Sequence, residues 1–146
     1  MSELKELQSV EARKLRDNDL LFLANLVNRS EAGVDLTLLV SGTLITGTLI
    51  SGKKYYTLMQ DKFSSFSQNS YGSLVKEYFA DVCEVYTPQP ENAGDENNEI
   101  PLNFIHLEEV AMQTGNGGFS SINGALLRLK IEEVDGYIMG ASENSK

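Results

Sequence analysis

The spacing of apolar residues changes period several times along the chain, and each change marks an element. Residues 1–16 alternate charge signs around Leu4, Leu7 and Val10, which predicts a charged amino-terminal arm or helix. Asp17, Asn18 or Asp19 is the expected N-cap of a second helix, because a short side-chain oxygen accepts from first-turn N–H groups that lack partners. Leu20, Leu23, Ala24 and Val27 then share one helical face, and Gly33 is the expected stop beyond Arg29. At Val34 the period falls to two. Val34, Leu36, Leu38 and Val40 alternate with Asp35, Thr37, Leu39 and Ser41, the pattern of a half-buried strand. Ser41-Gly42 predicts a turn, Gly42 accepting positive φ without a Cβ clash. Thr43 to Ser51 reads as the returning strand, with Ile45 and Leu49 on one face and Leu44, Thr46, Thr48 and Ile50 on the other. Gly47 at its centre marks a bulge or a sharp bend.

Helical spacing returns between residues 53 and 86. Tyr55, Met59, Lys62, Phe63 and Phe66 fall on one face, and after a polar break at 64–72 so do Leu74, Val75, Tyr78, Phe79, Val82 and Tyr86. Residues 87–101, TPQPENAGDENNEIP, have proline near both ends and four acids with no base, the composition of an acidic loop. Strand-like segments follow at Asn103–Gln113, Ala125–Ile131 and Tyr137–Met139. GNGGFSSING at 115–124 reads as a flexible turn, Glu132–Gly136 as a short corner and 141–146 as a polar disordered tail. The whole predicts one α+β domain over 17–140. Its centre is a small, strongly bent five-stranded antiparallel sheet, open or closed into a barrel, with an amino-terminal helix and a helical insertion between the second and third strands.

Composition narrows the function. The chain has 146 residues, 41% of them hydrophobic, enough for one well-formed core. Twenty-one acids against twelve bases give a formal charge of -9, which repels phosphate backbones and anionic headgroups over roughly 8 Å at physiological salt. Neither a nucleic acid nor a membrane is therefore an expected partner. The amino-terminal stretch has no apolar run of signal-peptide type, and the longest apolar stretches are far short of the ~18 residues of a membrane helix, so a soluble protein is expected. Cys83, the only cysteine, lies in an apolar run and reads as a buried structural thiol of a reducing compartment.

Reactive constellations are missing from the sequence. The single histidine, His106, has no Cys/His metal spacing and no nucleophile motif, and reads as a polar, partly exposed strand residue. The pairs Glu108-Glu109 and Glu132-Glu133 are adjacent, so on a strand each pair points to opposite faces, unless a bulge intervenes. The GNGG stretch leads into a strand and not into the helix that a phosphate cradle needs. No enzyme and no cofactor are expected. Aromatic residues are left as the candidate chemistry: Tyr55, Tyr56, Phe63, Phe66, Tyr78 and Phe79 either pack the helices on the sheet or form a protein-docking face.

Two blocks carry a family resemblance. VDLTLLVSGTLITGTLISGKKYY at 34–56, and FIHLEEVAM at 104–112 followed by LRLKIEEVDGYIMG at 127–140, resemble the gas-vesicle accessory family GvpU. The matching positions include Gly42, Ile45, Gly47, Ser51, Tyr55, Tyr56, Phe104, His106, Glu133, Val134, Asp135, Gly136, Tyr137 and Gly140. The resemblance implies a non-enzymatic accessory or scaffold protein of gas-vesicle formation or organisation. It would be cytoplasmic and vesicle-associated, contacting shell or other accessory proteins and forming a homo-oligomer. The same residues have structural readings: Gly42 and Gly47 suit a turn and a bend, Asp135-Gly136 a tight turn, and His106 a strand position. A topological likeness to Sm-like barrels rests on the helix, the bent hairpin and Asn103–Glu108. It implies the alternative of a nucleic-acid-binding module using Asn103 and Lys130, although Lys130-Ile131 stands where RNA-binding barrels carry Arg-Gly.

Overall fold

The computed structural model describes residues 15–64, 70–88 and 100–142; the readings made for residues 1–14, Phe66, most of the acidic loop and 143–146 lie outside these. Helix α1 (Asn18–Ser30) starts where a cap was expected, Asp17 accepting from Asp19 N (2.8 Å) and Leu20 N (3.3 Å). It stops earlier than Gly33, at Glu31, whose backbone is left-handed (φ 59°) and whose N–H closes on Val27 O. Gly33 has a packing role instead, since a Cβ there would lie 3.0 Å from the Thr48 methyl group.

Strands β1 (Val34–Val40) and β2 (Thr43–Ile50) form the expected hairpin, and both turn residues have positive φ, Ser41 at 49° and Gly42 at 81°. Such a turn twists with the strands it joins. Ser51 leaves the strand to cap α2 (Gly52–Lys62), which is followed by α3 (Ser70–Val85), β3 (Phe104–Gln113), β4 (Phe119–Ser121), β5 (Leu127–Lys130), a short 3-10 helix (Ile131–Glu133) and β6 (Gly136–Met139).

The antiparallel sheet runs β4-β3-β2-β1-β6, with β5 also paired to β3. It has six strands where five were expected. The addition is β4, three residues inside the stretch read as a flexible turn, where Thr114 N–H bonds Gly118 O at 2.7 Å to close the loop before it. β5 pairs with Phe104–Leu107 and β4 with Ala111–Gln113. Because β2 occupies the other edge of β3, these two short strands lie end to end. No ladder among the described residues joins β6 to them, so the sheet is not closed into a barrel by strand pairing.

A bulge interrupts β3. Thr46 faces Ala111 but Thr48 faces Glu108, so three β3 steps oppose two on β2, and the extra residue, Glu109, has φ 55°. Opposite it stands Gly47, where a Cβ would come within 2.9 Å of Glu108 O. The extra residue shifts the alternation, so Ile105 and Leu107 before it and Val110 after it all enter the same core. That core packs α1 (Leu20, Ala24, Val27) on the sheet through Leu36, Leu38, Ile45 and Leu49. A second core, built from Ile50, Tyr55, Tyr56, Tyr86 and Ile100, joins α2 and α3 to the sheet. Covering both sides makes the centre of β3 buried at three consecutive residues, Ile105, His106 and Leu107.

Candidate functional site

The second core begins where β2 gives way to α2. Ser51 Oγ accepts from Lys54 N at 2.9 Å and donates to Glu31 Oε2 at 3.0 Å, while Gly52 N donates to the buried Asn28 Oδ1 at 2.9 Å. These bonds tie the start of α2 to the end of α1. Gly52 has no alternative in this packing: a Cβ would fall 2.2 Å from the Tyr86 ring. Tyr56 stacks on Tyr86 with centroids 5.7 Å apart, and Tyr55 meets Tyr56 edge-on at 4.8 Å.

His106 lies among these rings, 4.6 Å from Tyr55 and 5.3 Å from Tyr86 between centroids. It is 2% exposed, not the partly exposed residue its sequence neighbourhood suggested, because the helical layer covers the face of β3 that alternation alone assigns to solvent. Arg128, its cross-strand partner on β5, places Nη1 3.0 Å from His106 Nε2 and 3.3 Å from the Tyr86 hydroxyl. A guanidinium only donates, so Nε2 accepts and the proton of the neutral ring is on Nδ1. Burial, reinforced by the Arg128 charge, lowers the His106 pKa to about 3. Burial likewise raises the Tyr55 and Tyr56 phenols, with Arg128 opposing. The guanidinium carbon lies 3.6 Å from the Phe104 ring centroid, a close cation–π contact. Sequence reasoning passed over Arg128. The available signal was a charged residue between Leu127 and Leu129, on the strand face that Leu126 also serves.

The candidate contact residues separate by burial. Tyr55 and Tyr56 are 7% and 5% exposed, so they seat the helices and offer a partner almost no surface. Phe63 and Phe79 are half-buried and touch each other at 5.7 Å. Tyr78 is 58% exposed, and it is not alone: Tyr71 (80%), Leu74 (63%) and Val85 (54%) recur with it along α3. Helical spacing returns the four to one outward stripe, bordered on one side by the exposed acids Glu77, Asp81 and Glu84. The inward side uses Phe79, Val82, Cys83 and, beyond the helix end, Tyr86.

The remaining motif residues hold the frame. Asp135 N donates to Leu39 O (2.8 Å) and Asp135 Oδ2 accepts from Ser41 N (3.1 Å), fastening the β1–β2 turn. The tight turn expected at Asp135-Gly136 occurs earlier, in the 3-10 helix, where Val134 N bonds Ile131 O. Gly136 instead opens β6 opposite Leu39. Asn103 and Lys130 do come together, around a hollow of about 250 Å³ with Arg16, Phe104 and Glu132, but Arg16 already donates to Asn103 Oδ1 at 3.2 Å. Cys83 is half-buried, its Sγ 3.7 Å from Thr57 Oγ1. Among the described residues no three His, Cys, Asp or Glu side chains are grouped to hold a metal ion.

Residues 17–142 match a family model described as gas vesicle protein GvpU-like. No curated protein and no solved structure matches the chain.

Proposed function

The chain belongs to the gas vesicle protein GvpU-like family, and on that premise we propose that it works in the cytoplasm as a scaffold, binding shell or other accessory proteins and associating with itself. Its role is that of a non-enzymatic gas-vesicle accessory protein. The family match, spanning both cores and every strand, is the observation that carries this conclusion. No helix among the described residues is long and apolar enough to cross a membrane.

Two surfaces support the finer reading. The α3 stripe of Tyr71, Leu74, Tyr78 and Val85 presents aromatic and aliphatic groups to solvent, the kind of side chain that anchors protein interfaces. The outer edge of β6, with Ile138 and Met139 60% and 57% exposed, has no strand paired to it among the described residues and offers its backbone groups for self-association. A nucleic-acid role at Asn103 and Lys130 has less support, because Glu132 shares their hollow and the chain carries -9 overall.

Flotation provides the test. Purified protein mixed with isolated gas vesicles should rise with them, and light scattering should report a mass above that of one chain. Protein that stays below the vesicles and scatters as a monomer would overturn the proposal.

A further inference from the structure

A cleft of about 620 Å³ opens between the end of α2 and the β3 bulge, within the roughly 300–1,000 Å³ range of binding clefts. Leu58, Val110 and Leu126 form its apolar lining, and Ile122, 53% exposed, adds to it from the β4–β5 link. Asp61, Glu108 and Glu109 supply the acids. Of these, Glu108 is held by Lys54 at 2.7 Å, whereas Asp61 and Glu109 have no ion-pair partner among the described residues. The bulge sets the direction of Glu109, an exposed residue at positive φ on an otherwise extended strand. Lys62 also lines the cleft: one N–H of its ammonium donates to the Gly124 carbonyl at 2.6 Å and bridges α2 to the β4–β5 link, and its single positive charge stands against the two carboxylates of Asp61 and Glu109, which leaves the lining net negative.

Sign and lining together select the occupant. An anionic ligand would meet two unpaired carboxylates on a chain of charge -9, and a second copy of this chain would bring the same excess of acid. A wholly apolar ligand would leave those carboxylates desolvated and unpaired. We propose that the cleft docks a short basic and aliphatic segment of a partner protein, its aliphatic side chains on Val110, Ile122 and Leu126 and its cation between Asp61 and Glu109. The inference rests on the accessory reading for its setting, but its test needs no gas vesicle, so either can fail without the other.

The probe is an acetylated pentapeptide of alternating leucine and lysine, titrated into the full-length protein and followed by amide chemical shifts. Shifts are expected at Val110, Ile122 and Leu126, weakening with added salt, and the same peptide with glutamate in place of lysine should leave them unmoved. Asp61→Asn with Glu109→Gln should weaken binding at least tenfold. Glu77→Gln with Asp81→Asn makes the same change in net charge on α3 and should weaken it less than threefold. Equal losses from both pairs, shifts centred on α3, or no binding at low salt would each overturn the proposal.

Discussion

His106 shows how much one buried ring can govern. Its ordinary pKa is 6.5 and its folded value about 3, so the unfolded chain binds the proton more readily than the folded one. The stability contributed by the neutral ring is therefore complete above pH 6.5 and is lost as pH falls towards 3. Between those two values stability falls with falling pH, by at most the one-proton limit of roughly 1 kcal/mol per pH unit. His106→Gln keeps a hydrogen-bond acceptor for Arg128 but does not titrate. Urea unfolding at stepped pH should show a shallower acid decline for the glutamine variant, the difference from wild type opening below pH 6.5. Parallel curves would mean that the ring is protonated, or reached by water, in the folded state. Removing the acceptor altogether, with His106→Phe, leaves the half-buried Arg128 guanidinium one partner short and should cost about 1–3 kcal/mol at neutral pH. None of this could be read from the sequence, where a lone histidine two residues before a glutamate pair reads as a partly exposed strand residue.

At the level of elements, periodicity made α1, the β1–β2 hairpin and the alternation of β5 legible, because each buries one face against one neighbour. What stayed hidden needed knowledge of two neighbours. β4 is three residues long and too polar to show a period, and it exists because β3 offers a free edge beyond the bulge. Gly47 did signal irregularity, but the extra residue lies on the opposite strand, where the Glu108-Glu109 pair gave the only hint. Gly52 is a sharper case, for here propensity and packing disagree in sign. Alanine at a helix position gains up to about 1 kcal/mol over glycine. The added Cβ would nevertheless enter the Tyr86 ring at 2.2 Å, and overpacking of that kind costs about 1–3 kcal/mol or more. Gly52→Ala should therefore be a net loss in chemical denaturation, with α3 loosened first in amide exchange. A stabilised variant would show that Tyr86 moves aside freely.

Over the whole molecule, the decisive ambiguity was which half of α3 faces inward. Leu74, Val75, Tyr78, Phe79 and Val82 make too broad an apolar face for its spacing to choose, and only the seat made by Tyr56 and Phe63 on α2 decides it. Phe79 turns in and Leu74 and Tyr78 turn out. The outward pair is thereby separable from folding. Leu74→Gln with Tyr78→Gln replaces exposed side chains with one that suits a helix, so each change should alter stability by no more than about 0.5 kcal/mol. If the stripe is the surface that meets the vesicle, losing two of its anchors should reduce the floated fraction at least tenfold, equivalent to about 1.4 kcal/mol of binding. Tyr55→Gln would also reduce flotation, but by unfolding the seat, and a denaturation midpoint distinguishes the two causes. A double variant that is as stable as wild type and floats equally well would remove α3 from the contact surface and leave the β6 edge and the cleft beside the β3 bulge as candidates.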